Sequence, residues 1–414
     1  MAKLMPRRQA IPILYTRGTH YDVGFDMILN VIFTSHFTIS STKILLWGHT
    51  FGALIKDFLQ LATELNKCYL PLYNTDEGKR VYNETLESVK KSFPQYIREL
   101  EGIADGANVE FHKLFLLHMD DILPQSLKTE GSSRRKEPVG CSTIVLNGQK
   151  HRIMAHNEDA LTETLNNFYY VVAHIISDSP QGKYKVKEER FMSLCYAGHL
   201  PGYTMSYNEH GMVCCINTLG AKYLRSGHTP RHFISRALLT AQNLDQAVKI
   251  IKDKGVGAGD GCSINLAFIN SPSETCYNIE TAPPVGNETE TRLDIKEIPL
   301  GTFCCHTNKY EHMDVPATDD EIASSVTRMN TFSSYKDPVR KQDVLEMLSD
   351  CTGEYCVFRE SGKNERLKTI ATGVFDLNAK TLTIYSDNPK LTEAHVTIPL
   401  VLKELGCGCM TVNK

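Results

Sequence analysis

Pro138-Val-Gly-Cys-Ser-Thr-Ile-Val-Leu-Asn-Gly-Gln-Lys-His-Arg-Ile-Met-Ala-His-Asn-Glu-Asp-Ala160 is the stretch on which the fold of this chain turns. Before it lies a charged run, Lys128-Thr-Glu-Gly-Ser-Ser-Arg-Arg-Lys-Glu137, with the composition of a linker. From Cys141 onward the sequence alternates as strands do. Cys141–Leu146 reads as a strand, Asn147-Gly148 as a tight turn and Arg152–His156 as the return strand. A cysteine behind a glycine therefore opens a strand where a linker ends. Cutting the Gly140–Cys141 bond would leave a cysteine carrying both a thiol and a free α-amine. That amine has an unperturbed pKa of roughly 7.7–8.0, so it can accept the thiol proton. Gly140 has no side chain to block attack of the Cys141 thiol on its own carbonyl. Against this stands the plain reading, a buried strand cysteine, which is the usual fate of a free thiol.

Gly140-Cys141-Ser142 followed by Asn157-Glu158-Asp159 past the next strand resembles the N-terminal-nucleophile hydrolases related to isopenicillin N acyltransferase. Phe93–Val109 (F-P-Q-Y-I-R-E-L-E-G-I-A-D-G-A-N-V), His112–Asp120 and Glu188–Ser206 resemble one insect branch of that family. The likeness covers nearly the whole chain. It implies an α+β fold, a four-layer αββα sandwich with the nucleophile at the start of a central strand. It implies a precursor that cuts itself, with residues 1–140 kept as a helical fragment beside a catalytic 141–414 fragment. It further implies a small-molecule substrate, an amide joining β-alanine to a biogenic amine such as dopamine or histamine. Neither a metal nor an organic cofactor enters that chemistry.

The same resemblance assigns roles. Cys141 is nucleophile, base and autoprocessing residue; Asp159 holds the new α-ammonium or its hydrogen bonds. Asn265, in Ser263-Ile-Asn-Leu, supplies an oxyanion donor. Arg328, in Ser324-Ser-Val-Thr-Arg, orients Asp159 or the substrate. His306-Thr-Asn308 reads as structural support. Without the resemblance, Asp159 is a turn residue, Asn265 a buried structural amide and Arg328 a surface ion-pair partner. A β-alanyl ammonium asks for a carboxylate, and Glu158, Asp120, Asp121 and Glu163 are all available. His156 is the nearest histidine for a Cys–His arrangement, which an N-terminal cysteine does not need.

The 414 residues suffice for one large domain or two smaller ones. A net charge of −3 without a basic face argues against nucleic acid as a partner. Thirteen cysteines include no C-x-x-C pair, and Cys304-Cys305-His306 on a strand would point to opposite faces, so a zinc site is not expected. Met1–Tyr15 has basic residues and no apolar run, so reduced thiols in the cytoplasm are expected. Gly255–Gly261 lacks the lysine and following helix of a phosphate loop.

Helices are expected over Leu54–Lys67, Glu77–Ser92, Pro94–Gly106 and Glu110–Leu123, with Ser92 a candidate cap. Ile28–Trp47 is apolar and β-branched, but Asn30, Ser35, His36 and Lys43 interrupt it as a membrane span. Deleting it joins Tyr21–Met27 to Gly48–Lys56 as in the resembled family, so it reads as a non-family insertion, a translated intron. Strands, two helices (Arg231–Ala241 and Leu244–Lys254), then more strands suggest two stacked, mainly antiparallel sheets. Two other readings remain, acyl transfer to a second amine and a binding protein that retains the fold. The presence of Gly140-Cys141, Asp159, Asn265 and Arg328 together argues against the latter.

Overall fold

A computed structural model describes residue 7 and residues 11–27, 52–127, 140–177, 179–316, 319–360 and 366–402. The insertion Ile28–Trp47 and the linker Lys128–Glu137 lie outside these residues. The N-terminal part is one strand and a set of helices: β1 (Ile13–Gly18), α1 (His20–Asp26), α2 (52–61) and a π turn, Leu65–Tyr69, running into α3 (Leu70–Tyr73). Then come α4 (Asp76–Ser92), α5 (Pro94–Ala107), α6 (Phe111–Leu117) and α7 (Ile122–Ser126). Caps set the boundaries. Thr19 and Asp22 form a reciprocal capping box on α1, and the Thr75 hydroxyl accepts the Gly78 N–H at 3.0 Å. Ser92 closes α4 instead of capping α5; Phe93 takes that N-cap position and Pro94 starts the helix. The helix expected over Glu110–Leu123 is broken at His118–Asp121, and that break turns Asp120 and Asp121 toward the site described below.

Two sheets follow. The first runs β1-β4-β5-β6-β7-β8-β9-β10, with β4 (Phe168–Ile176), β5 (Glu188–Tyr196), β6 (Ser206–Asn208), β7 (Met212–Leu219), β8 (Gly261–Phe268), β9 (Cys276–Ala282) and β10 (Arg292–Ile298). The second runs β11-β2-β3-β12-β13-β14, with β2 (Ser142–Asn147), β3 (Arg152–Leu161), β11 (Thr302–His306), β12 (Leu367–Asp376), β13 (Thr381–Tyr385) and β14 (Val396–Pro399). Pairing is antiparallel except between β1 and β4. Helices α8 (Arg231–Leu238), capped α9 (Leu244–Lys252), α10 (Asp319–Ser334) and α11 (Lys341–Leu348) complete the chain. Strand β10, with its Arg-Leu-Asp-Ile-Lys-Glu pattern of mixed exposure, escaped the sequence reading. Asn147 pairs with Arg152 inside the hairpin, so the turn is Gly148–His151 and not Asn147-Gly148.

Alternation along the central strands sorts side chains into three cores. Tyr169 and Cys214 face the helices, packing with Leu100, Phe115 and Phe233. Their neighbours Tyr170 and Val213 face the other sheet, meeting Val145, Met154 and Phe375. Ile144, Ala155 and Val374 point outward onto Phe332, Val344 and Leu348 of α10 and α11. Helix, sheet, sheet, helix is the expected four-layer sandwich.

The N-terminal part is built into this sandwich. β1 is the edge strand of the eight-stranded sheet. Beneath it, His20 and Glu99 meet Glu189 of β5 and Arg236 of α8. Arg236 donates to Glu189 at 2.7 Å and Glu99 at 2.9 Å, and His20 Nδ1 lies 2.9 Å from Glu99. All four are buried. Helices α1 and α5 cross at Gly24 and Gly102; a Cβ on Gly102 would stand 2.2 Å from the Tyr21 carbonyl oxygen. Gly102→Ala should therefore lower stability by about 1–3 kcal/mol despite alanine's better helix propensity, read as a fall in the unfolding midpoint.

Candidate active site

Cys141 sits one residue before β2, 4 % exposed, on the floor of a cavity of about 190 Å³. The N-terminal helical part supplies one wall: Phe58, Ala62, Leu65, Tyr69, Leu117, Asp120 and Asp121. The sheets and α8 supply the rest, including Gly140, Glu158, Asp159, Tyr196, His199, Tyr203, Arg231 and His232. The two parts of the chain thus share one site.

Cys141 Sγ lies 3.8 Å from Glu158 Oε1. Glu158 is fully engaged: Tyr196 and Thr204 donate their hydroxyls to it, and His156 Nε2 is 2.9 Å from its Oε2. His156 Nδ1 is 2.7 Å from the Thr143 hydroxyl, whose proton goes to Asn217 Oδ1 at 2.8 Å. The chain continues through Asn265, which donates to Asn217 at 3.0 Å and accepts from Asn278 at 2.8 Å. Asn217 Nδ2 is buried and has no hydrogen-bond partner. An unspent buried amide donor is costly unless something else uses it. The Cys141 thiol, a His156 nitrogen and a Glu158 oxygen lie within 4.8 Å of one another, a set that could ligate a metal among the described residues. Both nitrogens of His156 already have partners, so an ion would have to displace them. Burial first, and then the Glu158 and Asp159 carboxylates, push the thiol well above its ordinary pKa. At neutral pH it is held protonated.

Asp159 follows Glu158 along β3 and so projects to the opposite face. It lies within the strand, not after it, because β3 extends to Leu161. Its Oδ2 accepts from Arg359 Nε at 3.0 Å and its Oδ1 from the Thr369 hydroxyl at 2.6 Å. Burial raises its pKa, opposed by the Arg359 and Arg328 charges. Gly140 lies flush against this group: a Cβ there would stand 2.6 Å from Asp159. Arg328 Nη1 donates to the Cys141 carbonyl at 2.5 Å and to the Ser142 hydroxyl at 3.0 Å, and Nη2 to Asn308 at 2.7 Å. Arg328 is fully buried, which the surface ion-pair reading does not allow. His306 and Asn308 are supports, His306 against Glu280 and Asn308 beneath Arg328.

Cys141, Asp159 and Arg328 thus surround the Gly140–Cys141 junction, while Asn265 joins it through Asn217 and Thr143. Sequence reasoning missed Arg359, Asn217, Tyr196 and the α8 pair Arg231-His232. Arg359 is 200 positions from its partner, and no spacing rule reaches that far. Asn217 carried a weak signal, a polar residue at an inward position of the apolar strand Met212–Leu219. Among the described residues every cysteine is free, and no helix is long and apolar enough to cross a membrane.

The family model described as acyl-coenzyme A:6-aminopenicillanic acid acyl-transferase matches residues 146–391. The beta-alanyl-dopamine/carcinine hydrolase of Drosophila melanogaster is 56 % identical over 404 residues, covering 97 % of this chain and 99 % of the relative. Among solved structures, two single-residue variants of conjugated bile acid hydrolase from Clostridium perfringens align at 10 % identity. They cover 59 % and 64 % of this chain and 89 % and 100 % of theirs, with TM-scores of 0.36 and 0.37. The family model spans more than half of the chain and the fly relative nearly all of it: the chain belongs to the acyl-coenzyme A:6-aminopenicillanic acid acyl-transferase family.

Proposed function

We propose that this protein is a self-processing cysteine amidohydrolase that cleaves amides of β-alanine with a biogenic amine, β-alanyl-dopamine and carcinine (β-alanyl-histamine) among them. The observation that carries the reading is Cys141, placed behind a glycine whose added Cβ would stand 2.6 Å from Asp159, at the floor of a cavity walled by both parts of the chain. In processing, Sγ adds to the Gly140 carbonyl and the C–N bond breaks. The Cys141 nitrogen leaves as an amine that takes up a proton, and water hydrolyses the thioester to a Gly140 carboxylate. Residues 1–140 and 141–414 stay associated through β1 and the Glu99–Arg236 network.

In turnover the α-amine accepts the thiol proton as Sγ attacks the substrate carbonyl. Asn265, with Asn217 beside it, is assigned to the oxyanion, where losing one donor costs about 10²–10³ in rate. The leaving amine takes the proton, and water releases β-alanine from the thioester. Asp159 holds the new amine in place. The guanidiniums of Arg328 and Arg359 oppose a second positive charge there, which favours the neutral amine that acts as base. Incubating processed enzyme with β-alanyl-dopamine and an excess of a second amine tests the reading. Free dopamine and β-alanine are expected; a β-alanyl adduct of the added amine would instead make it an acyltransferase. Binding without product would make it a binding protein.

A further inference from the structure

The cavity is short of positive charge. Glu64, Asp120, Asp121, Glu158, Asp159 and Glu163 line it against a single guanidinium, Arg231. Most of these carboxylates have their partners. Glu158 takes three hydroxyl or imidazole contacts, Asp159 takes Arg359, Glu163 accepts the Thr63 N–H at 3.0 Å, and Glu64 takes Arg366. Arg231 holds the remaining two by one oxygen each, Asp120 Oδ2 at 3.0 Å and Asp121 Oδ2 at 2.7 Å. A third carboxylate, Asp260, sits 3.5 Å from the same guanidinium. One positive charge therefore faces several negative ones.

Asp120 Oδ1 is shut off from solvent and has no hydrogen bond. His232 Nε2 lies 3.6 Å from it, longer than a normal hydrogen bond. His232 is 2 % exposed, lines the cavity, and has no partner on either ring nitrogen. Its ring is fixed by stacking on Tyr203, with centroids 3.9 Å apart. Burial lowers its pKa against the pull of the Asp120 carboxylate, which favours the neutral ring with one N–H and one lone pair. A carboxylate oxygen and an imidazole thus stand beside one another with nothing supplied between them. Buried polar atoms in native proteins are rarely left so. With the His232 lone pair turned toward Asp120, both atoms are acceptors, and the charge balance asks for a cationic donor.

We infer that Asp120 and His232 together receive the primary ammonium of the substrate's β-alanyl group, making the acyl side of the cavity a cation site built on the broken turn after α6. This inference rests on the proposed β-alanyl amidase reading and names the residues that select its substrate. Asp120 accepts one N–H of the ammonium at Oδ1 and His232 a second, while the Tyr203 ring, stacked on His232, holds the imidazole in place. Arg231 is a positioning residue: it fixes the Asp120–Asp121 pair without neutralising it. Because a desolvated carboxylate then faces an uncharged acyl chain, the site also rejects amides lacking the ammonium.

The test compares β-alanyl-dopamine with N-propionyldopamine, which lacks only the amino group, in wild type and Asp120→Asn. Wild type should prefer the β-alanyl amide by about 10²-fold or more in kcat/KM, and D120N should bring the ratio to within a few-fold. Self-cleavage and circular dichroism report that the variant has folded. An unchanged ratio in folded D120N overturns the assignment. So does a ratio that instead collapses between β-alanyl-dopamine and β-alanyl-phenethylamine, for then Asp120 reads the ring hydroxyls. If D120N does not fold, Asp120→Glu carries the test: its longer arm should shift preference from β-alanyl toward glycyl-dopamine, and an unshifted preference overturns the assignment. Wild type that cleaves both dopamine amides equally would remove the ammonium site and leave the amidase reading standing. Cleavage of neither would remove both.

Discussion

Cys141→Ala should remain a single uncut chain and turn over β-alanyl-dopamine at least ~10⁴-fold more slowly than wild type, because nucleophile, base and cleavage residue are lost together. The fold should survive. Cys141 is a small side chain just ahead of an inner strand, and alanine loses one buried sulfur and its long contact to Glu158. Glu158 keeps Tyr196, Thr204 and His156, so no carboxylate is left bare. Activity measured beside the unfolding midpoint separates the two effects. A C141A protein that still self-cleaves would mean that another residue, or a contaminating protease, makes the cut. Cleaved C141A without turnover would restrict Cys141 to the second reaction.

Arg236→Ala should be the most destabilising single substitution in the interface between residues 1–140 and 141–414. It removes a guanidinium enclosed by Glu99, Glu189, Tyr96 and Phe191 and leaves two buried carboxylates sharing only His20. Breaking a buried pair from one side typically costs about 3–5 kcal/mol. Dissociation of the two fragments on gel filtration is the readout. The network also sets a pH dependence. Although burial opposes it, the Glu189 and Glu99 carboxylates raise His20 from an ordinary 6.5 to about 9. A raised pKa gives stability that is complete below about 6.5 and is lost as pH climbs through about 9. Glu189 moves the other way: burial would raise it, but Arg236 and His20 hold it at about 2. Its contribution is complete above about 4.5 and is lost as pH falls through about 2. Thermal stability of the processed protein should therefore decline from about pH 6.5 to about pH 9, and His20→Gln should flatten that decline.

Local pattern carried much of this structure. The alternation of Cys141–Leu146 and of Phe168–Ile176, and the cap at Asn243, lie within a few residues of where the chain places them. Such features depend on neighbours two to four positions away. What sequence could not supply is what the sandwich brings together across hundreds of positions: Arg359 onto Asp159, Arg236 onto Glu99, Arg231 onto Asp120. The four carboxylates open for an ammonium illustrate the difference. They are alike as letters, and only their partners separate them. The helix expected through Glu110–Leu123 failed for a related reason. Its apolar period is helical, but Asp120 and Asp121 are drawn to Arg231 and the helix gives way at that turn.

The intact mass of the purified wild-type protein decides whether the working protein begins a chain at Cys141. Two fragments that co-purify are expected, residues 1–140 and a second chain whose first residue is Cys141 with a free α-amine. A single full-length chain that nonetheless hydrolyses β-alanyl-dopamine would contradict it, because Cys141 would then be acting without the amine on which the mechanism depends.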